Sequence, residues 1–288
     1  MPGALPHNGD VGVQLNGKKM LRLALASVVL ALLQSCSTAP VGIADNKAAA
    51  VADLAPTGKL RAAINFGNPV LAVKDAATGE ATGVSVDLAR ELGRRLGVPV
   101  ELVTYDAAGM VFGALKSGAW DVAFLAIDPV RAAEISYTPP YVVIEGTYLV
   151  PRDSPIRSNA DVDRPGVRVA VATGSVYDLY LSRAFKQATL VRTPVSAEVA
   201  DMFVAQKLEV RAGVRQQLDA DARRIPGLRL LEGRFMVINQ AMGTPRGREA
   251  GAAYLRDFVE TMKASGFVAF SLARHHVEAA IAPAGDAR

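Results

Sequence analysis

DVAFLAIDPVRAAEISYTPPY, residues 121–141, decides how this chain is read. Its first seven residues are an apolar run with the length and composition of a buried strand. An Asp-Pro turn follows, and three residues past Asp128 stands Arg131, with Glu134, an aromatic and a double proline close behind. A permanently charged group at the mouth of a buried strand is either paired with a neighbouring acid such as Glu134 or kept for an anion from outside.

Working outward, strand and helix patterns alternate from Gly58 onward. KLRAAI (59–64) is a short strand. VSVDLARELGRRLG (84–97) is an amphipathic helix with an apolar stripe of Val86, Leu88, Ala89, Leu92 and Leu96, stopped by Gly97. VPVELVTY is a strand, and AGMVFGALKSG is a helix ending at Gly118. Past residue 141, YVVIEGTYLV (141–150) is a long strand ended by Pro151. A second set of strand and helix units runs to LRLLEG, FMVINQAM (235–242) is another long strand, and helices at about 247–264 and 266–276 finish the chain. Such alternation predicts α/β architecture, with helices on both faces of open sheets. The units are too many for one small sheet, and the two long strands bracket the middle set. The expectation is two α/β lobes joined by two crossing strands, lobe one from 57–149 and 242–282, lobe two from 150–241, and a tail at 283–288.

The N-terminal segment reads differently. KKMLR (18–22) is basic, LALASVVLALL (23–33) is apolar but short for a membrane span, and LQSC ends at Cys36, the one cysteine of the 288 residues. Residues 1–35 are therefore a signal segment, with 1–19 ahead of Met20 a candidate misassigned start. Two readings stand for its processing: a lipobox with Cys36 lipidated, or an ordinary signal cut after Gly42-Ile43-Ala44. Residues 36–56, rich in Ala, Pro and small polar residues, are expected to be a tether. The residues before Cys36 carry +2 of the net charge of +4. The remaining basic residues are scattered arginines without aromatic interleaving, which argues against nucleic acid as a partner. A single cysteine excludes disulfides within a monomer and multi-cysteine metal sites. No cofactor is expected.

GKLRAAI, GVSVDLARELGRRLGVPVELV, ALKSGAWDVAFLAIDPVRAAEISYTPPY, VRVAVATGSVYDLYL and KASGFVAFSLARH together resemble the solute-binding proteins of polar-amino-acid ABC transporters, the bacterial extracellular solute-binding proteins of family 3. The resemblance spans residues 58 to about 276. It implies a two-lobed periplasmic-binding-protein-like fold of type II that closes on a small carboxylate or amino-acid-like ligand and delivers it to an ABC permease. It also implies a monomer in the periplasm, held at the membrane by the lipid anchor if Cys36 is modified. Arg131 matches the family's carboxylate-binding arginine, whose planar fork meets both carboxylate oxygens. Ser175 and Val176, in the TGS loop that opens a helix, match the positions whose amides reach the anion from the opposite lobe.

Several positions depart from the family's pattern. The acid that usually accepts an ammonium, counted along EVRAGVRQQL, falls near Arg215, which cannot accept a hydrogen bond. Asn68 stands near an aromatic lid position and Ala108 near a second, and Phe124 and Ala126 replace serines that line the strand after DVA. Two arginines, the amides of Asn65 and Asn68 and a helix N-terminus therefore suggest a dicarboxylate, keto acid or other small organic anion. Motifs of hydrolases, zinc proteases and nucleotide binders are absent. The alternatives on the same scaffold are a periplasmic cyclohexadienyl-dehydratase-like enzyme, recruiting a general acid such as Glu145, Glu198 or Glu209, and a ligand-sensing docking module.

Overall fold

The computed structural model describes residues 3–4 and 41–285. Cys36 and all of the signal segment except residues 3–4 lie outside them, as does the end of the tail. In chain order, helix α1 is Val41–Leu54, strand β1 Leu60–Asn65, β2 Val73–Lys74, β3 Ala81–Thr82, α2 Val84–Leu96 and β4 Val100–Tyr105. Then come α3 Ala108–Gly113, β5 Val122–Ala126, α4 Pro129–Ala132, β6 Ile135–Tyr137, β7 Val142–Pro151, β8 Arg168–Ala172 and α5 Val176–Ala184. The remainder is β9 Thr189–Thr193, α6 Val199–Ala205, β10 Val210–Val214, α7 Arg215–Arg224, β11 Leu228–Leu230, β12 Met236–Pro245, α8 Glu249–Ala264, α9 Phe267–Arg274 and β13 Ala280–Ile281.

Eleven of these strands form a single sheet in the order β4-β1-β5-β12-β7-β10-β8-β9, with β6, β11 and β13 branching from β12 and β7. Its two wings are parallel: β4, β1 and β5 on one side, and β10, β8 and β9 on the other. Between them run β7 and β12, antiparallel to each other and ten residues long. This is the two-lobed α/β fold, each lobe an open βα sheet, with two crossing strands between. The change of partner is visible residue by residue. β12 pairs with β7 from Met236 to Gln240, then with β5 from Gln240 to Gly243. β7 pairs with β12 from Val142 to Gly146, then with β10 from Gly146 to Leu149.

Local sequence explains the elements. All five residues of β5 are buried, as befits a continuous apolar run covered on both faces. The predicted stripe of α2 is buried at Val86, Leu88, Ala89, Leu92 and Leu96, and Gly97 ends the helix in the left-handed region at φ 78° with its N–H on the Gly93 carbonyl. The expected tether is corrected in part: Val41–Leu54 is helical. Its alanine-rich composition has high helix propensity, and Ala50 and Leu54, four residues apart, are both fully buried.

That helix is fastened by charge. Asp53 accepts the Gly251 N–H at 2.9 Å on α8, and its carbonyl accepts from Arg248 at 2.9 Å. Arg248 also meets Asp121 at 2.8 Å, just before β5, while Arg61 of β1 forks onto the same carboxylate at 2.9 and 2.8 Å. Asp121 is fully buried. Burial pushes its carboxyl upward, but the bonds from Arg61 and Arg248 outweigh that and hold its pKa below the ordinary value. Asp121→Ala should lower stability by about 3 kcal/mol, because it leaves two arginines without their anion. A denaturant midpoint that drops with unchanged slope would record it. Since the folded carboxyl has a lowered pKa, its contribution is whole above about pH 4 and is lost as the pH falls through the lowered value. The stability gap between the wild type and Asp121→Asn should therefore narrow on acidification.

Candidate functional site

The site begins where β5 stops. Asp128 caps the short helix α4, its carboxylate accepting the Val130 N–H at 2.9 Å, and Pro129 occupies the first helical position, where its missing N–H costs nothing. This tight turn folds Arg131 back beneath the strand end. Its side chain is fully buried. Nη1 donates to the Ala126 carbonyl at 3.1 Å and Nη2 to the Gly174 carbonyl of the opposite lobe at 2.7 Å, while Nε is buried with no partner among the described residues. Burial lowers the pKa of this guanidinium, yet an arginine stays charged in a protein. Tyr137, whose hydroxyl donates to the same Ala126 carbonyl at 3.3 Å, is pushed up to about 12 by burial and remains a neutral donor. Glu134 does not pair with Arg131: no ion pair joins them among the described residues, and the acid at the turn, Asp128, faces Arg183 of α5 across the cleft at 2.6 Å.

The opposite wall is the N-terminus of α5. Ser175 is its cap, with Oγ accepting the Asp178 N–H at 3.1 Å, and the Ser175 N–H itself goes to the Ala172 carbonyl at 3.1 Å. Of the N–H groups that a helix start leaves unpaired, those of Val176 and Tyr177 remain. Of the expected pair, the Ser175 amide is thus engaged in the turn and the Val176 amide is not. Gly174 takes φ 67°, and a Cβ there would lie 2.9 Å from the Cα of Gly109 on the facing lobe. Only glycines let the two backbones approach so closely.

Between these walls lies a cavity of about 30 Å³, room for one or two water-sized groups. Asn65, Asn68, Ala126, Arg131, Ser175 and Val176 all line it, as does Ala108. Arg215 does not, which corrects the expectation for that residue. Val214, the last residue of β10, lines the cavity instead, and Arg215 is already the first residue of α7. The Arg215 side chain sits behind the crossing strands, with Nε on Glu145 at 2.9 Å and Nη2 on the Gly233 carbonyl, and Arg234 meets the same Glu145 at 2.6 Å. The sequence reading missed Gly67, Leu125, Tyr177, Ser196, Val214 and Gln240. Gln240 carried a signal, being a polar side chain inside the apolar run FMVINQAM, now 95% shielded where β12 changes partners.

The chain belongs to the bacterial extracellular solute-binding proteins of family 3, whose model matches residues 60–275. Solved structures agree with this fold. A mutant of ArgBP from T. maritima is 20% identical, aligned over 80% of this chain and 100% of its own, with a TM-score of 0.69. An amino acid ABC transporter substrate-binding protein from Streptococcus pneumoniae bound to L-arginine is 16% identical over 81% and 99% of the two chains, with a TM-score of 0.68. An ancestral amino acid-binding protein, described as a precursor of cyclohexadienyl dehydratase, is 22% identical over 79% and 99%, with a TM-score of 0.66. No curated protein matches the chain. No helix among the described residues is long and apolar enough to cross a membrane.

The Asp128–Arg183 pair and the Arg131–Gly174 bond both join one lobe to the other. Arg183→Ala should loosen that junction and raise the radius of gyration in small-angle scattering. An unchanged radius would show that the pair does not hold the lobes together.

Proposed function

We propose that the chain captures a small carboxylate or amino-acid-like ligand between its lobes and delivers it to an ABC permease in the periplasm, tethered through a lipid on Cys36. The observation that carries this reading is the unpartnered Nε of Arg131, buried against the cavity and opposite the free amides of Val176 and Tyr177. Nε and Nη2 form the side-on fork of a guanidinium. Arg61 uses that fork on Asp121, with Nε and Nη2 at 2.9 and 2.8 Å from its two oxygens. In Arg131 half of the fork is bare and half rests on the Gly174 carbonyl. A ligand carboxylate would replace that carbonyl and take both donors, gaining the short charge-assisted bonds that a neutral carbonyl cannot make.

The cavity is too small to admit such a ligand while the lobes stand as they do, so entry requires the lobes to part. The short ladder between Met236–Gln240 and Val142–Gly146 is the connection about which that rotation turns. A bound carboxylate would then draw the Val176 amide wall back towards Arg131. Its preference for the closed arrangement supplies the closure energy.

The carboxyl groups considered as general acids are engaged elsewhere. Glu145 holds Arg215 and Arg234, Glu209 holds Arg168 at 2.9 Å, and Glu198 accepts from Thr193 at 2.7 Å. This favours binding over dehydratase chemistry.

A calorimetric screen of the protein against small carboxylates and amino acids tests the reading. Arg131→Ala should weaken the ligand found by roughly a hundredfold, since a fully desolvated charged contact is lost. Arg215→Ala should leave affinity within about twofold, because that side chain lies behind the crossing strands. Equal affinity in Arg131→Ala would overturn the site.

A further inference from the structure

Hydrogen-bonding capacity around the cavity is one-sided. Among the lining residues Arg131 is the single ionised side chain. The amides are capable of either role, but each carbonyl end is half committed. Asn65 Oδ1 accepts the Gly67 N–H at 2.9 Å, and Asn68 Oδ1 accepts the Val70 N–H at 3.3 Å. Each keeps one lone pair and both of its Nδ2 donors, so donors outnumber acceptors. Added to the Arg131 fork and the Val176 and Tyr177 amides, they make a site built mainly of donors. Gln240 is the lining side chain that keeps an uncommitted carbonyl oxygen, and the hydroxyl of Ser196 can serve either way.

Charge points in the same direction. Asp128 on one wall and Asp178 on the other are each met by an arginine, Arg183 at 2.6 Å and Arg192 at 2.9 Å. Among the lining side chains the charge is that of Arg131 alone. One negative charge on the ligand cancels it. A zwitterion would supply the carboxylate but also bring an ammonium into a shielded space, with no anion to meet it and a guanidinium nearby.

Resting on the solute-binding reading above, we propose that the ligand is a 2-oxo monocarboxylate rather than an α-amino acid. Its carboxylate meets the Arg131 fork and the α5 amides. Its oxo oxygen, an acceptor only, takes the Nδ2 donors of Asn68 or Asn65. The apolar wall of Leu125, Val176 and Val214 receives a short aliphatic side chain.

Matched probes decide the matter. Calorimetry on the whole protein would compare pyruvate with L-alanine, 3-methyl-2-oxobutanoate with L-valine, and 4-methyl-2-oxopentanoate with L-leucine. The expected result is that the oxo member of at least one pair binds about tenfold or more tightly than its amino partner. Asn68→Asp keeps the shape and the acceptor for the Val70 N–H but replaces the donors with a carboxylate. It should weaken the oxo acid and strengthen the amino acid, reversing the order, while Asn68→Ala weakens the oxo acid without favouring its partner. Amino acids that bind more tightly than their oxo partners, and lose that affinity in Arg131→Ala, would overturn this inference and leave the solute-binding reading standing. Silence from all six probes would also overturn it. If the broader carboxylate screen were equally silent, the solute-binding reading would fall with it.

Discussion

The buried guanidinium of Arg131 sets the terms for everything around it. A full positive charge in a shielded interior is costly unless its donors are met, and here two backbone carbonyls meet it in part, one from each lobe. The Ala126 carbonyl fixes the orientation of the side chain. The Gly174 carbonyl makes the closeness of the lobes a condition of the charge being satisfied at all. Nε remains, and with it a standing attraction for an anion that can reach between α4 and α5. The neighbouring acid could have quenched that attraction. It does not, because Asp128 is committed to capping its own helix and to Arg183.

The two walls around this charge stand on separate wings of one sheet. Parallel wings carry the walls, and the antiparallel pair β7 and β12 is the ladder that runs from one wing to the other. The chain's ends are drawn into the same scheme: α1 is clasped to α8 through Asp53 and Arg248, and β13 lies along β7 at Val142 and Val143. Behind the crossing strands, Glu145 gathers Arg215 and Arg234, so the charges there are satisfied away from the cleft.

Much of this was legible in the residue order. Strands and helices announced themselves through period and punctuation: the apolar run of β5, the stripe and glycine stop of α2, the long strands that became β7 and β12. Arg131 stood out as a permanent charge at the mouth of a buried strand. The errors have physical causes. Arg215 was placed in the cleft by counting along EVRAGVRQQL, where no local signal fixes which residue is the last of the strand. Residues 41–54 looked like a tether because small residues suit a linker and a helix alike, and the choice was made by the pocket that buries Ala50 and Leu54.

By itself the sequence determined the α/β class, the two-lobed order of elements and the arginine poised at a strand end, since these follow from local periodicity and from the cost of burying charge. Only the tertiary structure decided which groups share the cavity and which of them still have donors to offer. Asn65 and Asn68, Val176, and Gln240 come from three separate parts of the chain, and whether an amide presents its carbonyl or its N–H depends on a backbone partner that no spacing in the sequence reveals.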